Sequence, residues 1–154
     1  MYKTILVPLD GSKLAECVLP HLEALAKGCQ VKNVKFVRVV EPFNQPAAGE
    51  YMLKPEEIDR INARMISEAE NYLKQLLSIL KYDGANLKGE VIHGRVAETL
   101  GTYATKHGID LVIIATHGRS GVSRWVWGSV ADRILRSSCV PVLMVRAPGC
   151  VPGM

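Results

Sequence analysis

Small, hydroxyl-bearing and basic residues that could bind an anion cluster near the end of the chain. Gly118 and Arg119 follow an apolar run, and Gly128 and Ser129 stand directly before a helical pattern that begins at Val130. The first turn of a helix has backbone N–H groups without intrahelical partners, at the positive end of the helix dipole. A glycine and a serine at that position therefore predict a site for an anion such as phosphate.

The same residues have a second interpretation, in which they only shape a turn and begin a helix. Glycines between a strand and a helix serve mostly as turn residues, and a serine near a helix start is mostly a cap worth ~1 kcal/mol. His117 is then a side chain that braces the loop, and Arg119 is a solvated charge. From the residue types alone, both interpretations stay open.

The spacing of four residues resembles the nucleotide-binding signature of the universal stress protein family. In that family a glycine, two residues, a second glycine, nine residues and a Gly-Ser or Gly-Thr pair close around a triphosphate. Ala115, Gly118, Gly128 and Ser129 stand at the matching positions, and the resemblance extends over nearly the full chain. One position departs, because Ala115 replaces the first glycine of the pattern. Its methyl group is a small obstacle to a bound ribose.

The resemblance implies a binding site for ATP with Mg²⁺ or Mn²⁺. Asp10 and the backbone of Val39 would hold the adenine and ribose end, Pro8 and Leu9 would line the base pocket, and Ala115 would lie under the ribose. The residues expected at the phosphates are Gly118, Arg119, Gly128, Ser129 and Val130. Asp10 can accept a hydrogen bond from an amine or a ribose hydroxyl, but it is also a common turn or cap residue.

No motif in the sequence indicates a catalytic or metal centre. A P-loop, a Gly-x-Gly-x-x-Gly fingerprint after the first strand and a Gly-x-Ser-x-Gly nucleophile elbow are all absent. No side chain pairs visibly with a base as an activated nucleophile. The four cysteines lack the short spacings of zinc or dithiol sites, so we interpret them as reduced thiols. We therefore predict a binding protein that is not an enzyme.

Apolar runs rich in β-branched residues alternate with helical patterns and predict the elements that position the site. Strands are expected at 3–8, 34–40, 87–93, 110–115 and 140–145, and helices at 13–27, 55–80, 96–107 and 130–137. Pro20 should kink or bend the first helix and Gly28 should end it, while Pro141 should put the last strand at a sheet edge.

This alternation predicts a doubly wound α/β fold with right-handed crossovers. The resemblance further implies a five-stranded parallel sheet of order 3-2-1-4-5 with helices on both faces, an adenine nucleotide alpha-hydrolase-like fold. In that order the topology reverses between the first and fourth strands, where such sheets bind ligands at the carboxyl ends. The loops at Asp10 and Gly118 should therefore meet at one crevice.

Length and composition place the chain among ordinary globular proteins. Its 154 residues, 22% charged and 48% hydrophobic, suit one domain, expected over 1–146, followed by a flexible tail over 147–154. The net charge of +4 is mild and the basic residues are scattered, so nucleic-acid binding is not expected. No signal peptide or membrane-spanning run is visible, and we expect a cytoplasmic protein.

Three functions fit these features. The first is an ATP-binding, homodimeric stress protein whose nucleotide biases its conformation or partners, paired through the last strand, Val140 to Val145. The second is a slow Mg²⁺-dependent ATPase, which would need a base that we cannot name. The third is a dimeric interaction module of the same family whose pocket stays empty. The intact Gly118, Gly128 and Ser129 favour the first.

Overall fold

Parallel strands form one sheet whose order confirms the doubly wound α/β prediction. The computed structural model describes residues 1–44, 53–82, 84–116 and 129–146, with backbone only at Ser129 and Ser137. The strands are β1 (Thr4–Pro8), β2 (Asn33–Val40), β3 (Asn86–His93), β4 (Leu111–Ala115) and β5 (Val142–Val145). They lie in the order β3-β2-β1-β4-β5, and every neighbouring pair is parallel. The tail expected over 147–154 lies outside the described residues.

Helices on both faces of the sheet enclose two apolar layers. The α-helices are α1 (Leu19–Cys29), α2 (Pro55–Ile79), α3 (Val96–Lys106) and α4 (Ser129–Ser137). Side chains alternate along β1, so that Ile5 packs with Leu22 of α1 and Leu73 of α2. Its neighbour Leu6 packs on the other face with Leu100 of α3. Helices therefore cover both faces of the sheet, as expected when all strands are parallel.

The first helical segment differs from the single helix predicted by the sequence. A 3₁₀ turn over Ala15–Val18 precedes α1, which begins at Leu19. Pro20 therefore lies in the first turn of α1, where its missing N–H costs no intrahelical hydrogen bond and no kink is needed. The helix also passes through Gly28 and is closed by Gln30, which adopts a left-handed φ of 52°.

The last strand is shorter than predicted and lies at a sheet edge. It begins at Val142 rather than Val140, because Pro141 has no N–H to add to the ladder. The carbonyl of Pro141 still accepts a 2.9 Å hydrogen bond from the N–H of Val112. The proline correctly predicted an edge strand. In the part of the chain that the structure describes, no helix combines the length and apolar character needed to cross a membrane.

Candidate functional site

The carboxyl ends of β1 and β4 border the predicted crevice. The strand order reverses between these two strands, which is where open α/β sheets bind ligands. β1 pairs with β2 along all five residues, but its register with β4 covers only Ile5 with Leu111 and Leu6 with Val112. At Val7 and Pro8 the ladder continues with β2 alone. The two strands thus stop pairing before β1 ends, on the side where a ligand would enter.

Pro8 and Leu9, expected to line the base pocket, lie at the carboxyl end of β1. Pro8 is the last residue of the strand, and the N–H of Leu9 continues the ladder by donating to the carbonyl of Val37 at 2.9 Å. The side chain of Leu9 is 4% exposed and belongs to the apolar layer that contains Ala15. Leu9 can therefore contribute to a pocket mainly through its backbone.

Asp10 shapes the turn that follows β1. Its Oδ1 accepts hydrogen bonds from the backbone N–H of Ser12 at 2.9 Å and from the Ser12 hydroxyl at 2.7 Å. The Ser12 oxygen in turn accepts a 3.2 Å bond from the N–H of Ala15, which starts the 3₁₀ turn. This is the turn role that the sequence left open. Ser12 supplies two of the about four hydrogen bonds that a carboxylate can accept.

The backbone of Val39 is directed toward the crevice side of β2. Along a parallel strand, the N–H and C=O of successive residues point alternately to the two neighbouring strands. The carbonyl of Val37 accepts from Leu9 on the β1 side, and the carbonyl of Val40 accepts from Gly94 on the β3 side. Val39 therefore points its backbone groups to the β1 side, beyond the last residue of β1. The side chain of Val39 packs against the layer under α3.

Ala115, the position that departs from the family pattern, closes β4. It is 8% exposed, pairs with Val145, and belongs to the apolar layer under α1. Its methyl group is therefore part of the core and takes little space from the crevice. The next residue, Thr116, is also buried and donates its N–H to the carbonyl of Val145 at 2.8 Å.

The start of α4 brings backbone N–H groups to the same edge of the sheet. Ser129 opens the helix, and Val130 packs against the layer shared with α3. A helix that connects two parallel strands runs antiparallel to them, so its amino end lies at their carboxyl edge. The positive end of the helix dipole is thus on the side of Asp10 and Ala115. The other predicted phosphate ligands, Gly118, Arg119 and Gly128, lie outside the described residues.

A charged cluster beside Asp10 was not predicted. The guanidinium carbon of Arg38, on β2, lies 5.4 Å from the centre of the Tyr72 ring on α2. The Tyr72 hydroxyl donates to Glu16 at 3.1 Å, and Lys13 donates to the second oxygen of Glu16 at 2.7 Å. Burial, followed by the charge of Glu16, raises the pKa of Tyr72 well above its usual value of 10.0. The only sequence signal for this cluster was Arg38, a charged residue inside the apolar run of β2.

Metal-ligating clusters are not found among residues 1–44, 53–82, 84–116 and 129–146. In these ranges no group of three or more His, Cys, Asp or Glu side chains is placed to hold an ion.

Similar proteins agree with this architecture. The sequence model described as "Universal stress protein family" matches residues 1–146. Universal stress protein MJ0531 of Methanocaldococcus jannaschii is 29% identical over 150 residues, covering 96% of this chain and 84% of the relative. The solved structure of MJ0577 from the same organism is 28% identical with a TM-score of 0.76, covering 97% of this chain and 99% of the other.

Two more distant structures share the fold. One is a universal stress protein of Archaeoglobus fulgidus in complex with dAMP, 23% identical with a TM-score of 0.62, covering 93% of this chain and 97% of the other. The second is a family member of Arabidopsis thaliana with AMP bound, 11% identical with a TM-score of 0.66, covering 96% and 93%. With the family match over residues 1–146, these likenesses lead to one conclusion: the chain belongs to the universal stress protein family.

Proposed function

We propose that this protein binds an adenine nucleotide, ATP in particular, in the crevice between β1 and β4. The observation that carries the proposal is the meeting of three backbone features at one edge of the sheet. These are the turn at Asp10, the outward-pointing backbone of Val39 and the amino end of α4 at Ser129. Together they offer hydrogen-bonding groups for a base and ribose, and a positive dipole end for phosphates.

At the adenine end, specificity would come mostly from the main chain. The N–H and C=O of Val39 form a donor and acceptor pair, which matches the acceptor and donor pattern on the edge of adenine. Asp10 would accept a hydrogen bond from the exocyclic amine or from a ribose hydroxyl. Proteins with this fold that are named in complex with AMP and dAMP support an adenine nucleotide as the ligand class.

At the phosphate end, the argument rests on the helix start and on the sequence spacing. The N–H groups at the first turn of α4 have no intrahelical partners, and phosphate is a good acceptor for them. Gly118, Gly128 and Ser129 retain the family spacing, and Arg119 adds a positive charge. A divalent metal ion would be bound chiefly by the phosphates themselves.

The protein would act through nucleotide binding, with hydrolysis slow or absent. No activated nucleophile or general base is visible in the sequence, and a base contributes ~10²- to 10⁴-fold to a rate. Single-turnover incubation with ATP and Mg²⁺ should therefore release phosphate very slowly. Turnover near the typical enzyme rate of ~10 per second would favour the ATPase alternative instead. Location in the cytoplasm stays a prediction.

We further propose that two copies pair through β5. Among the strands that the structure describes, β5 has β4 on one side and no strand on the other, so within this part of the chain its outer edge can pair with another strand. Leu143 is 37% exposed on this strand. Pairing β5 with its own copy across a two-fold axis would satisfy the edge and cover that side chain. The nucleotide could then bias the conformation or partners of a dimer.

Calorimetric titration with ATP, ADP, AMP and adenosine in the presence of Mg²⁺ tests the nucleotide proposal. We expect binding of ATP that weakens as phosphates are removed, because each phosphate contributes contacts at the start of α4. Mass spectrometry of ligand released from freshly purified, acid-denatured protein identifies any nucleotide that is retained. If no heat appears with any of the four at millimolar concentration, the empty-pocket interaction module becomes the better description.

A further inference from the structure

We propose that Arg38 is a positioning residue of the nucleotide site, which holds the turn at Gly11 and thereby fixes Asp10. This inference rests on the proposed function, since it concerns how the adenine and ribose end is kept in place. Arg38 lies on β2, one residue before Val39, but its side chain is on the opposite face of the sheet. It therefore acts from the α2 side of the sheet.

The contact between Arg38 and Gly11 is close enough to define the turn. A Cβ built on Gly11 would lie 2.8 Å from Nη1 of Arg38 and 3.0 Å from its Cζ. Gly11 also has a φ of 87°, in the left-handed region that favours glycine. Only a residue without a side chain suits both the backbone conformation and the guanidinium beside it. The guanidinium thus packs directly on the main chain that follows Asp10.

The guanidinium is itself held by α2. It lies over the ring of Tyr72 at 5.4 Å, a cation–π arrangement, and the Tyr72 hydroxyl is fixed by its 3.1 Å bond to Glu16. The second Glu16 oxygen accepts from Lys13, so the carboxylate is bonded on both sides.

This arrangement links the position of α2 to the ligand-facing turn. Asp10 accepts two hydrogen bonds from Ser12, and Gly11 is the residue that connects Asp10 to Ser12. A displacement of Gly11 would therefore rotate the Asp10 carboxylate and move the acceptor offered to the nucleoside. Arg38 would influence affinity through Asp10 and would not itself contact the ligand.

A double-mutant cycle distinguishes this role from a general loss of stability. Arg38→Met keeps an unbranched side chain about as long as the arginine aliphatic stem and removes the charge and the planar guanidinium, and it should lower the affinity for both adenosine and ATP by about tenfold. In an Asp10→Ala background, the same substitution should change either affinity less than twofold, because the group that it positions is gone. Arg38→Lys should recover part of the loss, since it restores the charge. All affinities are measured by calorimetry at 25 °C.

Arg64→Met is the matched control. Arg64 lies on α2, the helix that carries Tyr72, but it is largely exposed and paired with Glu68 at 2.8 Å, so nucleotide affinity should not change. Additive losses from Arg38→Met and Asp10→Ala would overturn the positioning role. The positioning role would also be overturned if Arg38→Met bound ATP and adenosine as the wild type does while Asp10→Ala bound them more weakly. The proposed function would then still stand. If Arg38→Met is unfolded at 25 °C, the same cycle with Arg38→Lys decides by the same criterion.

Failure of the proposed function would look different. In that case the wild-type protein would bind neither adenosine nor ATP, and the cycle would have nothing to measure. The positioning role would fall with it.

Discussion

The carboxylate of Asp110 accepts a 2.8 Å hydrogen bond from the backbone N–H of Thr4, and the backbone N–H of Asp110 returns a 2.9 Å bond to the Thr4 carbonyl. A further 2.8 Å bond reaches the same carboxylate oxygen from the N–H of Lys3. These contacts join β1 and β4 at their amino ends, whereas their pairing stops before their carboxyl ends. β1 and β4 are thus hydrogen-bonded to each other at their amino ends and unpaired at their carboxyl ends, where we propose that the ligand binds.

Asp110→Ala should therefore destabilise the fold without weakening nucleotide binding. Loss of hydrogen bonds to a charged acceptor should lower the free energy of unfolding by about 1.5–3 kcal/mol. ATP affinity should stay within twofold, because the contact lies at the opposite edge from Asp10. Urea unfolding and calorimetry measure the two quantities. Asp132→Ala is the control: its carboxylate pairs with Arg136 on the surface of α4 and should cost only about 0.3–0.5 kcal/mol.

Element types could be predicted from the sequence because apolar periodicity and turn residues are local signals. The strand order could not, since it depends on which strands become neighbours, and the family resemblance supplied it. Local signals also failed at the ends of α1. Gly28 was expected to end the helix, but Gln30, a residue with a side chain, closes it in a left-handed conformation, because the chain must turn there into β2. Tertiary packing decided that boundary.

The candidate site shows the same difference between features with a local sequence signal and features that depend on the fold. Val39 and Asp10 could be proposed from the family resemblance, but the direction of the Val39 backbone depends on the register of β2 with its neighbours. The cluster around Arg38 depends on α2, which begins far along the chain and brings Tyr72 over the sheet. Side chains so distant in sequence leave no spacing pattern. A charge within the apolar run from Val37 to Val40 was the only local sign.

Ser129→Ala should lower the affinity for ATP but leave the affinity for adenosine unchanged. If Ser129 donates to a phosphate oxygen, its removal should cost about 1.5–3 kcal/mol of binding free energy, the worth of one hydrogen bond to a charged group. Adenosine has no phosphate and should bind the variant as it binds the wild type. Calorimetry with both ligands gives the comparison. Equal weakening of both ligands would mean that the substitution disturbs the crevice as a whole.

Gly128→Asp should abolish ATP binding while the melting temperature stays close to the wild-type value. A side chain at that position would intrude on the phosphates, and a carboxylate would repel them in a partly dry site. A plain helix cap would instead accept aspartate at little cost. Retained affinity in the folded variant would mean that the glycine belongs to a turn and not to a phosphate site.

Stability should fall above pH 10 because of buried tyrosines. Burial, with a smaller contribution from Glu23, raises the pKa of Tyr82 from 10.0 to about 12. Below pH 10 both folded and unfolded chains keep this proton, so the full stability is present. Between pH 10 and about 12 the unfolded chain loses the proton first, which costs up to ~1.4 kcal/mol per pH unit for one group.

Tyr82→Phe should remove this contribution. The Tyr82 hydroxyl makes only a long 3.5 Å hydrogen bond to the carbonyl of Leu19, so the substitution should cost little at pH 7. Urea unfolding at pH 7 and at intervals from pH 9 to about 11.5 gives the slope. The variant should lose stability less steeply than the wild type over this window. An identical slope would show that Tyr82 titrates alike in both states.

Leu143→Lys should convert a dimer into a monomer. In β5, Val142 and Met144 pack against the layer shared with α3 and α4, while Leu143 lies on the other face of the strand and is 37% exposed. Pairing β5 across a two-fold axis would bring the two Leu143 side chains into one interface, because such an interface uses the same segment of each chain. Two lysines there would repel each other and lose the apolar contact. The folded monomer should be little affected, since Leu143 is not part of its core.

Light scattering after size exclusion, at high micromolar protein, measures the mass of wild type and variant. Ile79→Lys is the control for a new surface charge, because Ile79 is 74% exposed at the end of α2, on a different element from β5. It should leave a dimer intact. A wild-type mass equal to one chain would remove the β5 dimer from the proposal, and a Leu143→Lys dimer would move the interface to another surface.

Nucleotide affinity, measured in parallel, tests whether the crevice needs the dimer. Each described part of the crevice comes from a single chain, so binding should survive in the monomer.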